Sequence, residues 1–166
     1  LEATSYFQPS QAAYANGCHV VEVEVDVETG AVSILRYIVS HDCGNLINPM
    51  IVDGQVQGGV AHGIGNALLE HLYYDADANP LTATFAEYLL PTAEMVPNVE
   101  ILHLESPSPN NPLGVKGAGE GGTLPAAAVI AAAIDDALSP FNVRFRYAPI
   151  LPHQIVAAIA EAKKSV

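Results

Sequence analysis

The sequence predicts an α+β domain in which antiparallel strands are packed by two main helices and a C-terminal helix. Three observations carry that reading. Val21, Val23, Val25 and Val27 alternate with Glu22, Glu24 and Asp26, the period of a strand with one wet face. An apolar pattern opens at Asn48 and Pro49, an N-cap residue followed by proline in the first helical position, and runs on to Leu72. A second apolar run, residues 123–140, is rich in alanine and isoleucine.

Residues 1–17 show no period and read as an extended lead-in. The valine alternation then gives one strand, the "ETG" turn follows, and a second strand runs from about Val32 to Val39, so that residues 18–40 form a hairpin with a solvated acidic face. In the helix from Asn48, the glycines at 54, 58, 59, 63 and 65 each cost roughly 1 kcal/mol against alanine. A neighbouring backbone, or a flat ligand, has to come close to that helix to compensate. "DADANP" is a turn, and Pro91 and Pro97 lead into a strand over Val99 to Leu104. Residues 105–122, "ESPSPNNPLGVKGAGEGG", form a long loop of the kind that carries function. The helix after it starts around Thr123 and Pro125 and is apolar nearly all round, which predicts burial. "NVRFRYAPI" reads as a last strand, and "LPHQIVAAIAEAKKSV" as an amphipathic helix with its lysines at the favourable C-terminal end.

Half of the 166 residues are apolar and only 14% are charged, which gives one domain a real core and argues against disorder. Six basic residues against 18 acidic ones leave a formal charge of -12, a poor surface for nucleic acid or anionic lipid. Lys116 is the only lysine or arginine between Arg36 and Arg144. Two cysteines without CxxC spacing make no disulfide framework, no zinc site and no self-contained iron–sulfur site. They suit a reducing compartment, so a cytoplasmic setting is expected, with the periplasm as the alternative. No apolar stretch approaches the ~20 residues of a membrane span. A chain opening on Leu1 without a signal pattern is expected to be a piece of a longer one.

The chemistry concentrates in "GAGEGG", residues 117–122. It satisfies Gly-x-Gly-x-x-Gly, but the dinucleotide fingerprint needs a strand immediately before it, and "SPSPNNPLGVK" cannot be one. Lys116 precedes the glycines, so the loop is no Walker motif either. Glu120 reads as a helix N-terminal carboxylate, a solvent-facing loop residue or a catalytic base. A glycine-lined apolar setting would raise its proton affinity into the range that a base needs. "HDCGNLINP" makes a poor metal site, since neighbouring side chains on a strand end point apart.

In "VEVDVETGAVSILRYIVSHDCGNLINPMIVDGQVQGGVAHGIGNALLE", in "PSPNNPLGVKGAGEGG" and in the small-residue helix that follows, the chain resembles the molybdenum hydroxylases. This is the family of xanthine oxidase, aldehyde oxidase and the large subunit of aerobic carbon monoxide dehydrogenase. The resemblance implies that residues 1–166, as a single domain or fragment, are the C-terminal part of the molybdopterin-binding catalytic chain. It implies that Glu120 is the active-site base and that Gln55, Lys116, Gly117, Ala118 and Gly119 bind the cofactor. The Gln55 amide would meet its metal-ligand end, the backbone amides before Glu120 would meet the pyranopterin, and the Lys116 charge would favour anionic parts of the cofactor or ionised Glu120. No residue is assigned as a direct metal ligand. His62 is expected to be a packing residue, Asn48 a cap and Cys43 a buried thiol. The implied cofactor is molybdenum-molybdopterin, as the cytosine dinucleotide in bacteria, with iron–sulfur clusters and FAD on other chains. The implied partners are the rest of the molybdenum subunit and the iron–sulfur and flavin subunits. The implied reaction is hydroxylation or dehydrogenation of an aldehyde, N-heterocycle or similar small substrate with water's oxygen, and the isolated fragment is expected to be inactive. The other reading is a non-catalytic structural or assembly module that packs on a partner chain.

Overall fold

The structure, a computed structural model, describes residues 1–164. It is α+β, as expected: a three-stranded sheet carries two helices on one face. β1 (Asn16–Val25) and β2 (Val32–Asp42) form the antiparallel hairpin. Its turn is held by Asp26, whose carboxylate accepts from the backbone N–H groups of Glu28 (2.8 Å) and Thr29 (3.2 Å). β3 (Val99–His103) adds to the other edge of β2, parallel to it rather than antiparallel. The cause is the route of the chain, which leaves β2, crosses through a helix and returns to run the same way.

The inward face of the sheet changes character along its length. Val21, Tyr37 and Val99 form one cross-strand row, His19, Val39 and Ile101 the next, and Gly17, His41 and His103 the last. In the first row Tyr37 and Val99 are buried in the main core with Ile64, Ile130 and Ile134, and Val21, half-buried, packs against it. The last row carries two imidazoles, and the loop of residues 105–122 comes down over it.

α1 (Pro49–Leu68) starts where the sequence placed it, the Asn48 side chain accepting from the Ile51 N–H at 3.3 Å. It stops at Leu68 rather than Leu72, because Leu69 leaves helical geometry (φ -134°, ψ -55°) and the Glu70 N–H closes back on the Gly65 carbonyl at 2.8 Å, one residue beyond the α-helical partner. α1 packs against α2 (Ala126–Ala137) and β3, and α2 packs against β1. The glycines of α1 divide by face. A Cβ on Gly59 would lie 2.8 Å from the backbone of Gly122, and one on Gly63 would collide with the Ala126 methyl. Gly54 and Gly58 face open space. The close neighbour that a glycine-rich helix demanded is therefore the backbone of residues 122–126.

α2 departs from expectation in two ways. Thr123 does not cap it; the Thr123 hydroxyl donates to the Gly59 carbonyl of α1 at 3.2 Å, and the helix begins at Ala126. Nor is α2 wholly buried, since only Ala126, Ile130 and Ile134 are enclosed while Ala128, Ala132 and Asp136 face outward. The expected last strand is absent too. Over residues 142–150 the Phe145 N–H bonds the Asp135 carboxylate (2.8 Å) and the Ile150 N–H bonds the Ala67 carbonyl (2.7 Å), so the helices hold this segment and no sheet ladder forms. α3 (Pro152–Lys164) buries Ile155 and Ile159 and ends with Lys163 and Lys164 in its last turn. No helix among the described residues is long and apolar enough to cross a membrane.

The two faces of α1 should respond oppositely to one methyl group. Gly59→Ala is expected to lower the unfolding free energy by about 1–3 kcal/mol through overpacking. The adjacent Gly58→Ala is expected to leave it unchanged or raise it by up to ~1 kcal/mol. Denaturant unfolding of both variants checks this, and equal effects would count against the backbone contact.

Candidate functional site

The loop that carries Glu120 is strapped to the end of β2. Asn45 donates its N–H to the Gly114 carbonyl (3.1 Å), and Lys116 donates its N–H to the Cys43 carbonyl (2.7 Å). Beneath this strap lies a charged pair. The Lys116 ammonium is 3.0 Å from the Asp42 carboxylate, with both side chains about nine-tenths buried. Burial alone would raise the Asp42 carboxyl. The Gly44 N–H, the Lys116 ammonium and the Ser106 N–H outweigh it and hold the group below its ordinary value. Removing one partner of such a pair leaves an uncompensated buried charge, so the pair fixes the root of the loop firmly.

From that root the chain runs through Gly117, Ala118, Gly119 and Glu120. None of these four backbone N–H groups donates to another described residue. A Cβ on Gly117 or Gly119 would meet nothing. Both glycines and Glu120 line a cleft of about 630 Å³ together with Tyr14, Gly17 and His41. Gln55 reaches across from α1, its amide nitrogen donating to the Gly119 carbonyl at 2.8 Å.

Past Glu120 the loop changes from open to packed. The Gly121 Cα rests on the His41 ring, and a Cβ there would overlap it. The Gly121 carbonyl accepts from His19 Nε2 at 3.0 Å. A carbonyl can only accept, so Nε2 carries the proton and Nδ1 is free to accept from the Tyr37 hydroxyl at 2.9 Å. Burial pushes the Tyr37 phenol well above its ordinary value, which keeps it a donor. Burial also lowers His19, against the bond to Gly121 that favours its charged form. His41 is lowered by burial and by the nearby His103, and neither of its ring nitrogens has a partner among the described residues.

The residues singled out in the sequence thus come together unevenly. Glu120, Gly117 and Gly119 share the cleft, and Gln55, which does not line it, is joined to it through the Gly119 carbonyl. Ala118 is part of the same open turn. The Lys116 ammonium is turned away from the cleft into the pair with Asp42. The dry setting expected for Glu120 is not met by this chain, since its side chain is exposed. Cys43 is the buried thiol expected, and His62 lies on the outer face of α1. Among the described residues no three His, Cys, Asp or Glu side chains converge as a metal site. Sequence reasoning passed over His19 and weighed His41 only within "HDCGNLINP", as part of a poor metal site. Their signal was present, because His19 falls in phase with the inward Val21, Val23 and Val25.

An α+β layer that offers a glycine-lined cleft and a row of free backbone donors beside one carboxylate defines a cradle for an acceptor-rich group. The sequence profile of the molybdopterin cofactor-binding domain family matches residues 1–97, and the chain belongs to that family. It is 42% identical to the nicotine 6-hydroxylase large subunit of Paenarthrobacter nicotinovorans over 95% of its own length and 19% of the relative's. Quinoline 2-oxidoreductase from Pseudomonas putida 86 superposes with a TM-score of 0.86 at 44% identity, over 89% of this chain and 19% of that one. The Cu,Mo-CO dehydrogenase superposes at 0.91 with 31% identity, over 98% and 20%. The chain therefore spans about one fifth of the length of these relatives. Unpaired N–H groups at residues 117–120, and two glycines whose Cβ positions are open, fit a large planar group bearing acceptors.

The buried histidines give stability a pH dependence. His19 and His41 are both lowered from 6.5, so below that value the unfolded chain binds more protons than the folded one. Their contribution is whole above about pH 6.5 and is lost as the pH falls from there towards the folded values. The acid limb of unfolding free energy against pH should be shallower in His41→Gln; an unchanged slope would contradict the assignment.

Proposed function

We propose that this chain is the C-terminal part of the molybdenum-binding large subunit of a hydroxylase, and that its substrate is an aromatic N-heterocycle. The family membership supports the cofactor, and the relatives named for nicotine and quinoline support the substrate class. The observation that carries the proposal is the exposed Glu120 carboxylate standing at the end of a turn of free backbone donors.

In this reading the N–H groups of Gly117, Ala118 and Gly119 hold the pyranopterin, and the Gln55 amide, already bonded to the Gly119 carbonyl, presents its oxygen to the same group. Lys116 serves mainly through its backbone and its anchor on Asp42. Glu120 takes up the proton released as water's oxygen is transferred to the substrate carbon. When bound, the molybdenum cofactor supplies the redox centre that accepts the two electrons of that oxidation. The remaining part of the subunit closes the cleft, excludes water and brings Glu120 into the proton-affinity range of a base. The cofactor is the cytosine dinucleotide form, and iron–sulfur and flavin subunits carry the electrons away.

Glu120→Gln in the assembled enzyme is expected to keep its molybdenum and to lose about 10²–10⁴-fold in kcat. Near-normal turnover, measured by steady-state oxidation of quinoline or nicotine with an artificial electron acceptor, would sink the base assignment and favour a packing module. Gln55→Ala should reduce molybdenum content by elemental analysis or slow turnover. Both unchanged would remove Gln55 from the cofactor contacts.

A further inference from the structure

Glu120 is followed by Gly121 and Gly122, the residue type with the widest backbone freedom. A base held on such a hinge wanders unless something outside the turn restrains it. Within the turn the restraint is one-sided, since the Thr123 and Leu124 N–H groups bond the Glu120 carbonyl at 3.0 and 3.2 Å while the Gly121 N–H reaches the Ala118 carbonyl only at 3.4 Å. From outside the turn, α1 holds Gly119 through Gln55 and packs on Gly122, and the Gly121 peptide between them is held from the sheet. His19 is buried, its Nε2–H donates to the Gly121 carbonyl at 3.0 Å, and the Tyr37 hydroxyl at 2.9 Å fixes the tautomer that makes this possible. The His41 ring fills the space under the Gly121 Cα, so the glycine can neither drop towards the sheet nor carry a side chain.

We infer that His19 is a positioning residue for the active site: its Nε2–H, set by Tyr37, fixes the peptide after Glu120 and thereby the place of the Glu120 carboxylate. The inference rests on the reading of Glu120 as the base. It assigns a role to a strand residue that is 102 positions from Gly121 in sequence and does not line the cleft. A misplacement of about 1 Å can cost on the order of 10²-fold in rate, so a hydrogen bond to the adjoining peptide is enough to matter.

The test uses the assembled enzyme and three variants, His19→Leu, His19→Gln and Glu120→Gln, each with molybdenum content measured. His19→Leu removes the donor, whereas the glutamine amide can still donate to the Gly121 carbonyl. For His19→Leu the expectation is a fall in kcat of about 10- to 100-fold with KM little changed. Hydrogen–deuterium exchange should be faster in the peptide spanning residues 114–125, and His19→Gln should recover most of both. Unchanged kcat and exchange in His19→Leu would overturn the inference, as would a His19→Gln enzyme as impaired as His19→Leu. If Glu120→Gln stays active, the base reading fails by itself. The exchange data then decide the restraint alone: faster exchange in the leucine variant and not in the glutamine variant upholds it, and no difference overturns it. Should His19→Leu not fold, Tyr37→Phe takes its place, with slower turnover and faster exchange expected and wild-type values for both overturning the inference.

Discussion

The contact on which the site depends is one of backbone against backbone. α1 meets the chain at Gly122 and Thr123 with no side chain between, at Gly59 on one side and Gly122 on the other. Dispersion contacts and interlocked shape make such an approach specific, and the helix accepts the propensity cost of glycine in exchange. Because the two backbones touch, the Thr123 hydroxyl reaches the Gly59 carbonyl and the Gln55 amide reaches the Gly119 carbonyl. The loop is thereby joined to the helix on one side and, through Asp42, Lys116 and Cys43, to the strand end on the other.

That double attachment explains why one stretch of glycine behaves in two ways. Gly121 and Gly122 sit inside the clamp, where a methyl group would overlap His41 or the Val56 backbone. Gly117 and Gly119 sit outside it, facing the cleft, and their N–H groups donate to no other described residue. The polar end of the sheet belongs to the same arrangement. His19 and His41 underlie the turn, and burial lowers the proton affinity of both, which disfavours charge on them.

Much of this was legible in the sequence, and the failures have physical causes. The hairpin was readable because the Val21, Val23 and Val25 alternation is local, and the start of α1 because Asn48 and Pro49 act through adjacent N–H groups. The segment "NVRFRYAPI" misled because alternation reports burial and not pairing. Val143 and Phe145 are buried as the pattern says, yet the Phe145 N–H goes to Asp135 instead of a neighbouring strand. Thr123 looked like a cap, but a carbonyl of α1 captured its hydroxyl, and no local rule reports a partner 64 residues away. The side-chain contact of Lys116 was hidden for the same reason, since Asp42 lies 74 residues back. The exposure of Glu120 was hidden because "GAGEGG" reports the lack of side chains beside it and not how much of its surroundings is solvent.

The parallel seating of β3 bears on the order in which the chain assembles. β1 and β2 close over a short turn, so their ladder forms at little loop-closure cost. β3 joins β2 only after α1 and the irregular stretch 69–98 have been brought round, and pairing at such separation is slow. His103, on that late strand, faces Asp53 of α1 at 2.6 Å, a bond that can exist only when strand and helix have both docked. The hairpin that presents His19, Tyr37 and His41 is thus closed by local contacts, whereas the seats of the helix, the edge strand and the glycine turn on it all join residues far apart in the chain.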